Sequence, residues 1–306
     1  MPAYDVLGIG CVAVDDLLYV EVFPGEDGKR PILRSERQFG GLTATALVAA
    51  AKLGGRCAFG GLIGTDGLSA TVEANFESHG IDVSHAVHLP ESRPIHAYIV
   101  VAEQGHTRTI VYDANAPTGA PPEGPCECAV RSSRVLLIDD YGYRGNLKAL
   151  EIARDAGVEV VADLERNDDP LFQVLADEVG HLVVSGGFAL RITGAADIPS
   201  AVSALWTDAR KAVVVTCGSQ GLWHQDAPDS RVRHMPAFQV PVVDTTGCGD
   251  VFHGAYALAL ARGQGIEERV RFASAAAALK AGRPGGQNGA PDAREIAAFL
   301  EQGDRQ

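Results

Sequence analysis

Val243-Asp244-Thr245-Thr246-Gly247-Cys248-Gly249-Asp250-Val251-Phe252 is the stretch on which the reading of this chain turns. A strand-like run over 238–243 leads into it, and an apolar helix over 251–261 follows. Gly247 and Gly249 let the chain turn sharply and keep Cβ atoms away from a ligand. The unpaired N–H groups at the helix start then converge on one spot and form an anion site. Asp250 falls in the first helical turn, where the positive end of the helix favours its ionised form. An anion cradle beside a carboxylate base is what phosphoryl transfer to a hydroxyl requires.

Outward from this stretch, the second half of the chain repeats one pattern. The spacing predicts strands over 135–138, 158–162, 181–184 and 212–216, alternating with helices over 145–156, 170–179 and 200–210. Such alternation builds a doubly wound parallel sheet covered on both faces. The chain opens with a short apolar run, Val6 to Gly10, read as a buried strand. Gly40-Gly41 starts an Ala-rich helix over 43–53, closed by Gly54-Gly55, and a strand over 57–63 and a helix over 69–79 follow.

Two segments break the pattern. Residues 12–23 and 32–39 read as strands about the turn Pro24-Gly25-Glu26-Asp27-Gly28, and 95–101 and 107–112 as a hairpin about Glu103-Gln104-Gly105-His106. They are distant in sequence but alike in character, and are expected to pair as a small sheet over one edge of the body. The expected division is an α/β body of 1–11, 41–94 and 113–306 with a β lid of 12–40 and 95–112. The proline-rich stretch from Pro117 to Pro125 reads as a loop, and 302–306 as a frayed end.

Composition narrows the class. In 306 residues, 26 Lys and Arg face 39 Asp and Glu, a net charge of −13, while 46% are hydrophobic. That excludes a disordered chain, and no basic stripe offers itself to nucleic acid. The acidic balance disfavours anionic membranes, and no apolar run reaches the ~18 residues of a span. The start shows no basic segment before an apolar one, so a cytoplasmic protein is expected. Six cysteines show no disulfide framework and read as small buried hydrophobes. Cys126-Glu127-Cys128 lacks the two-residue spacing of a zinc knuckle. His85 and His88 have helical spacing but no third ligand beside them in the sequence, so both read as surface residues.

The decapeptide resembles the C-terminal signature of the ribokinase-like (PfkB-type) carbohydrate kinases. Gly40-Gly41 before the Ala-rich helix resembles the family's N-terminal signature. Thr216-Cys217-Gly218-Ser219-Gln220-Gly221 resembles its nucleotide loop, and the tail from Ala275 to Pro291 its adenine-side segment. Within the family, Val243–Gly254, Val270–Arg283 and the Gly-Gly-x-x-Ala-Thr at 40–45 resemble sulfofructose kinase, and the lid residues resemble ketohexokinase-like members. The resemblance implies an ATP- and Mg²⁺-dependent sugar kinase with a β-sheet lid through which two copies pair. It implies Asp250 as the base, with the backbone of Gly247, Cys248 and Gly249 holding the transferred phosphate. Asp15, Gly41 and Thr45 would lie on the sugar side, with Arg108 and Asp27 as lid residues and Lys29 as the match to a sulfonate-side lysine. Thr216, Gly218, Gly221, Ala278 and Gly282 would hold the nucleotide. Asp244 and Thr246, with carbonyls near 281–287, would hold potassium where a member uses it.

The chain departs from the family pattern in four places. Cys248 stands for Ala, and a cysteine at a helix start is expected to have a lowered pKa and to be open to alkylation. Thr45 stands for Asn. Ser185-Gly186-Gly187-Phe188 replaces an Asn-x-x-Glu element, so no metal ligand is assigned. Asp139-Asp140-Tyr141 stands where sulfofructose kinase has an arginine, and an acidic pair repels a sulfonate. The reading is therefore a neutral, fructose-like ketose, with ribose, sulfofructose, another sugar or a nucleoside as alternatives.

Readings from other classes are weaker. Gly8-Ile9-Gly10-Cys11-Val12-Ala13 fits a dinucleotide fingerprint with Asp27 for the ribose, but a helix must follow, and 12–23 alternates as a strand. A non-catalytic sugar sensor on this fold would have no use for the base. A P-loop needs Gly-Lys-Ser/Thr, which is absent.

Overall fold

The computed structural model describes residues 2–105, 107–228 and 230–303. Fourteen strands are present among them: β1 (Tyr4–Ile9), β2 (Ala13–Val20), β3 (Arg34–Gly40), β4 (Cys57–Phe59), β5 (Leu62–Ile63), β6 (Val87–His88), β7 (Ile95–Ala102), β8 (Thr107–Asp113), β9 (Ser133–Asp139), β10 (Glu159–Asp163), β11 (His181–Ser185), β12 (Ala212–Thr216), β13 (Leu222–Gln225) and β14 (Arg233–Met235). The main sheet has eight strands in the order β14-β13-β12-β11-β10-β9-β1-β4. β4 through β12 pair in parallel, while β13 and β14 add an antiparallel edge, so the sheet is mixed.

The uninterrupted apolar strands are explained by burial on both faces. Val135 and Leu137 enter one core, with the helices Leu42–Lys52, Cys248–Ala261 and Ile266–Ala281. Leu136 and Ile138 point to the other, with the helices Tyr143–Ala156, Phe172–Glu178 and Gly186–Thr193. Each such side chain contributes about 1.5–3 kcal/mol by leaving water.

Segments 13–20, 34–40, 95–102 and 107–113 form one four-stranded sheet in the order β3-β2-β7-β8. Its ladder begins at Ala13, opposite Gly40 and Ile95, just past the carboxyl end of β1. The sheet therefore stands over the carboxyl edge of the main sheet. Asp16 locks it across strands: Arg37 donates to both its oxygens at 2.7 and 2.8 Å, and His96 Nε2 lies 2.8 Å away. Ile110, Val111 and Tyr112 are exposed on β8, as is Tyr98 on β7.

Several boundaries differ from the sequence expectation. The strand over 57–63 divides at Gly60-Gly61; β4 joins the main sheet, while β5 pairs with β6 apart from it. The run over 238–243 forms no strand, since Pro241 lacks the N–H a ladder needs. The helix over 200–210 spans Ile198–Ala204. Past its end the buried Arg210 turns its guanidinium back onto the carbonyls of Ala176, Val179 and Leu205. The last helix runs Ala293–Gly303, past the expected fraying point, and 304–306 and the hairpin residue His106 lie outside the described residues. Among the described residues, no helix is long and apolar enough to cross a membrane.

Candidate active site

The helix Cys248–Ala261 starts from Gly247, whose φ of 76° is left-handed. A Cβ there would lie 2.8 Å from Gly286 Cα, so only glycine lets the signature loop meet the tail. Beside Gly249 there is open space. Cys248 and Gly249 line a cavity of about 480 Å³ together with Thr216, Gly218, Gly221 and Ala278, and Phe238 and Phe252 supply apolar wall. Four residues expected at the nucleotide thus share one cavity with the helix start. Gly282 lies outside the lining, packed toward Pro241.

Asp244 organises the approach to the cradle. Its Oδ1 accepts from Thr246 N at 2.9 Å and its Oδ2 from Gly285 N at 2.8 Å. Lys280, with no exposed surface, donates to the carbonyls of Asp244 (2.7 Å) and Arg283 (3.3 Å) and lies 3.5 Å from Asp244 Oδ2. The ammonium therefore occupies the oxygen cluster that the resemblance assigns to a monovalent cation.

On the opposite side, Gly41 (φ 96°) begins the helix Leu42–Lys52 with a Cβ position only 2.6 Å from Cys11 O. Thr45, 1% exposed, packs beneath Gly247 and Gly286. Asp15 lies on β2 beside Gly40, its carboxyl pushed up by burial and by Asp16, with His96 opposing. Arg108 Nη1 donates to Thr246 Oγ1 at 3.3 Å and carries β8 across to the signature loop.

A family model described as the pfkB family carbohydrate kinase matches residues 9–293. The chain belongs to the PfkB family of carbohydrate kinases. Across 96% of its length the kinase is 30% identical to a ribokinase of Haemophilus influenzae, covering 97% of that protein. It is 25% identical to the mouse ketohexokinase over 93% of this chain and 98% of the other. In fold it resembles an Arabidopsis thaliana ribokinase solved with ribose and ATP, with a TM-score of 0.86 at 24% identity over 98% and 99% of the two chains.

In the kinase, Asp163 and Glu165, distant in the sequence, approach Asp250 only in the fold, while His253 stands three positions along the same helix. Asp163 at the end of β10 raises the Asp250 pKa, after burial, the largest cause; Glu165 and Asp139 add to the rise and His253 opposes it. The helix end therefore does not win, and the carboxyl lies well above the usual range. His253 Nδ1 is 3.2 Å from Asp163 Oδ2 and 2.8 Å from Gly249 O, and its Nε2 is 3.0 Å from Val183 O. A raised pKa suits a general base, since proton transfer is most efficient when it approaches the working pH. The acid limb of kcat/KM is thus expected above the usual carboxylate range of about 4. Asp163→Asn removes the principal like charge, so the limb moves to lower pH. Profiles of both proteins test this, and coincident limbs would show that Asp163 does not set the base.

Other expected residues are placed differently. Asp139 and Asp140 are both interior. Asp139 accepts from Cys11 N, Thr43 Oγ1 and Tyr141 N, its pKa raised to about 6 by burial and by Asp140. Asp140 accepts from the amides of Glu165 and Arg166. The pair is not an outward acidic wall, and the repulsion of a sulfonate argued from it falls away. Asp27 and Lys29 lie in the exposed loop joining β2 to β3, at the far end of that pair from Asp15. The four residue steps from Asp15 to Tyr19 near the loop end span roughly 13 Å, so one chain does not bring them to Asp15. Ser185 caps the helix Gly186–Thr193, and Phe188, where the family's Glu would stand, is buried against Phe172. The thiol of Cys248 is pushed up by burial, not lowered by the helix start, so it gains no reactivity there.

Proposed function

We propose that this kinase transfers the γ-phosphate of ATP to a hydroxyl of a small neutral ketose of fructose type. The observation that carries the reading is the cavity running from the Thr216–Gly221 loop to Gly249, one residue from Asp250, a half-buried carboxyl whose pKa is raised. ATP would lie along it with its γ-phosphate against the N–H groups of Gly247, Cys248 and Gly249. Asp15, able to accept from two hydroxyls, would hold the sugar beside Arg108. The sugar oxygen bonds to phosphorus as the bond to the ADP oxygen breaks, and its proton passes to Asp250. Oxygen donors suit magnesium, and Glu165, exposed near Asp250 and Asp163, would hold it, where it would neutralise phosphate charge. The carboxylates gathered at Asp250 disfavour an anionic sugar. Since Lys280 supplies the cation at Asp244, turnover would proceed without potassium.

ADP release from MgATP over fructose, tagatose, ribose, sulfofructose, 2-keto-3-deoxygluconate and adenosine tests the substrate. Fructose or tagatose should turn over fastest. Ribose as the best substrate would sink the ketose reading and keep the sugar kinase; sugar binding without turnover on any member would favour a sensor.

Two copies would pair through the four-stranded sheet, supported by the exposed Tyr98, Ile110, Val111 and Tyr112. The pairing would bring one copy's Asp27 and Lys29 loop toward its partner's site. Light scattering should give twice the 32.1 kDa chain mass, and Val111→Asp should halve it. A monomeric wild type would overturn the pairing.

A further inference from the structure

At the amino end of the main sheet, across from the phosphate cradle, the fold gathers three side chains that the sequence holds apart. His85, Cys126 and Cys128 each offer one ligand atom, and these atoms lie within 4.8 Å of one another. His85 follows the isolated bridge between Ala58 and Asp82; Cys126 caps the short helix Glu127–Arg131, and Cys128 lies within it. The sequence reading of His85 as a surface residue lacking a third ligand is corrected here, because its partners are supplied 41 and 43 positions later.

We propose that His85, Cys126 and Cys128 bind a single zinc ion, with a fourth position open to solvent. Two thiolates and an imidazole are the donor set that zinc takes in tetrahedral sites. Oxygen-loving magnesium and calcium are not served by sulfur, and zinc needs no redox partner. Cys128 is exposed and His85 half-buried, which leaves the ion a path in. The outer partners a metal-binding histidine requires are also present. Tyr4 Oη lies 3.1 Å from His85 Nε2 and donates to Asp82 Oδ2 at 2.5 Å, an arrangement that orients the ring. Binding releases the two thiol protons and ties together β1, the segment after Asp82 and the helix before β9. The ion lies apart from Asp250 and takes no part in phosphoryl transfer.

The test uses the reduced, metal-stripped full chain, titrated with zinc against a chromophoric chelator and with cobalt as a spectroscopic stand-in. Wild type should take up one equivalent of zinc and show a thiolate-to-cobalt charge-transfer band. Cys126→Ser/Cys128→Ser should lose the band and weaken zinc binding at least 100-fold. Tyr4→Phe, which removes only the outer hydrogen bond, should weaken it about 10-fold. Sugar-kinase turnover retained in each variant shows that it is folded. Wild type without stoichiometric zinc, or a double variant that binds as tightly as wild type, overturns the site.

Discussion

Asp250→Asn is expected to fold normally and to lose about 10³-fold in kcat, within the 10²–10⁴-fold that a general base supplies. That loss corresponds to about 4 kcal/mol of transition-state stabilisation. The amide keeps the size of the side chain but cannot accept the hydroxyl proton. KM for ATP should change little, since the nucleotide cavity is lined by other residues. Stability should hold or rise, because the half-buried carboxylate is poorly solvated and is repelled by Asp163, Glu165 and Asp139. A functional group kept at such cost is a usual mark of an active site. Steady-state kinetics with thermal unfolding decides the matter; near-normal turnover would remove Asp250 from the chemistry.

Lys280→Ala should have the second-largest effect. Its ammonium has no exposed surface and bonds the carbonyls of Asp244 and Arg283. Asp244 keeps some contact with water, so the cost comes mainly from the carbonyls left without a donor, about 1–3 kcal/mol. Asp244 also holds Thr246 and Gly285, so its displacement moves the loop that ends in Gly247. A misplacement of about 1 Å costs roughly 10²-fold in rate. The truncation leaves room beside the same oxygens, and potassium should restore much of the lost turnover while tetramethylammonium does not. Wild type should be indifferent to the exchange. Strong activation of wild type by potassium would show that Lys280 does not stand in for the cation.

What was legible in the sequence was local. The helix start at Gly247 and the position of Asp250 follow from adjacent residues, and so do the alternating strands of the second half. The four-stranded sheet was legible because period-2 runs and a hairpin signal carry their own geometry. What was hidden depends on partners far along the chain. Asp139 is buried because Cys11, Thr43 and Tyr141 donate to it, and no composition rule gathers those three. Asp163 and Glu165 meet Asp250 only once β10 lies beneath the signature helix. The 238–243 run carries strand residues, but pairing needs a neighbour and an N–H at Pro241. Lys280, which ends an Ala-rich run of its helix, gives no sign that its ammonium turns inward.

The packing of Leu42–Lys52 against Cys248–Ala261 sets an order on the birth of the protein. The first helix leaves the ribosome with Ala44, Leu47 and Val48 destined for full burial, while its partner is still about 200 residues from being made. β1 waits too, since its neighbour β9 begins only at Ser133. At roughly 5–20 residues per second, that apolar face stays uncovered for about 10–40 s. Over that interval it is open to chaperones and to other nascent chains. The segment that carries Asp250, the proposed base, is also the one that seals the oldest part of the core, so a chain would become able to react only when its amino-terminal half is finally closed.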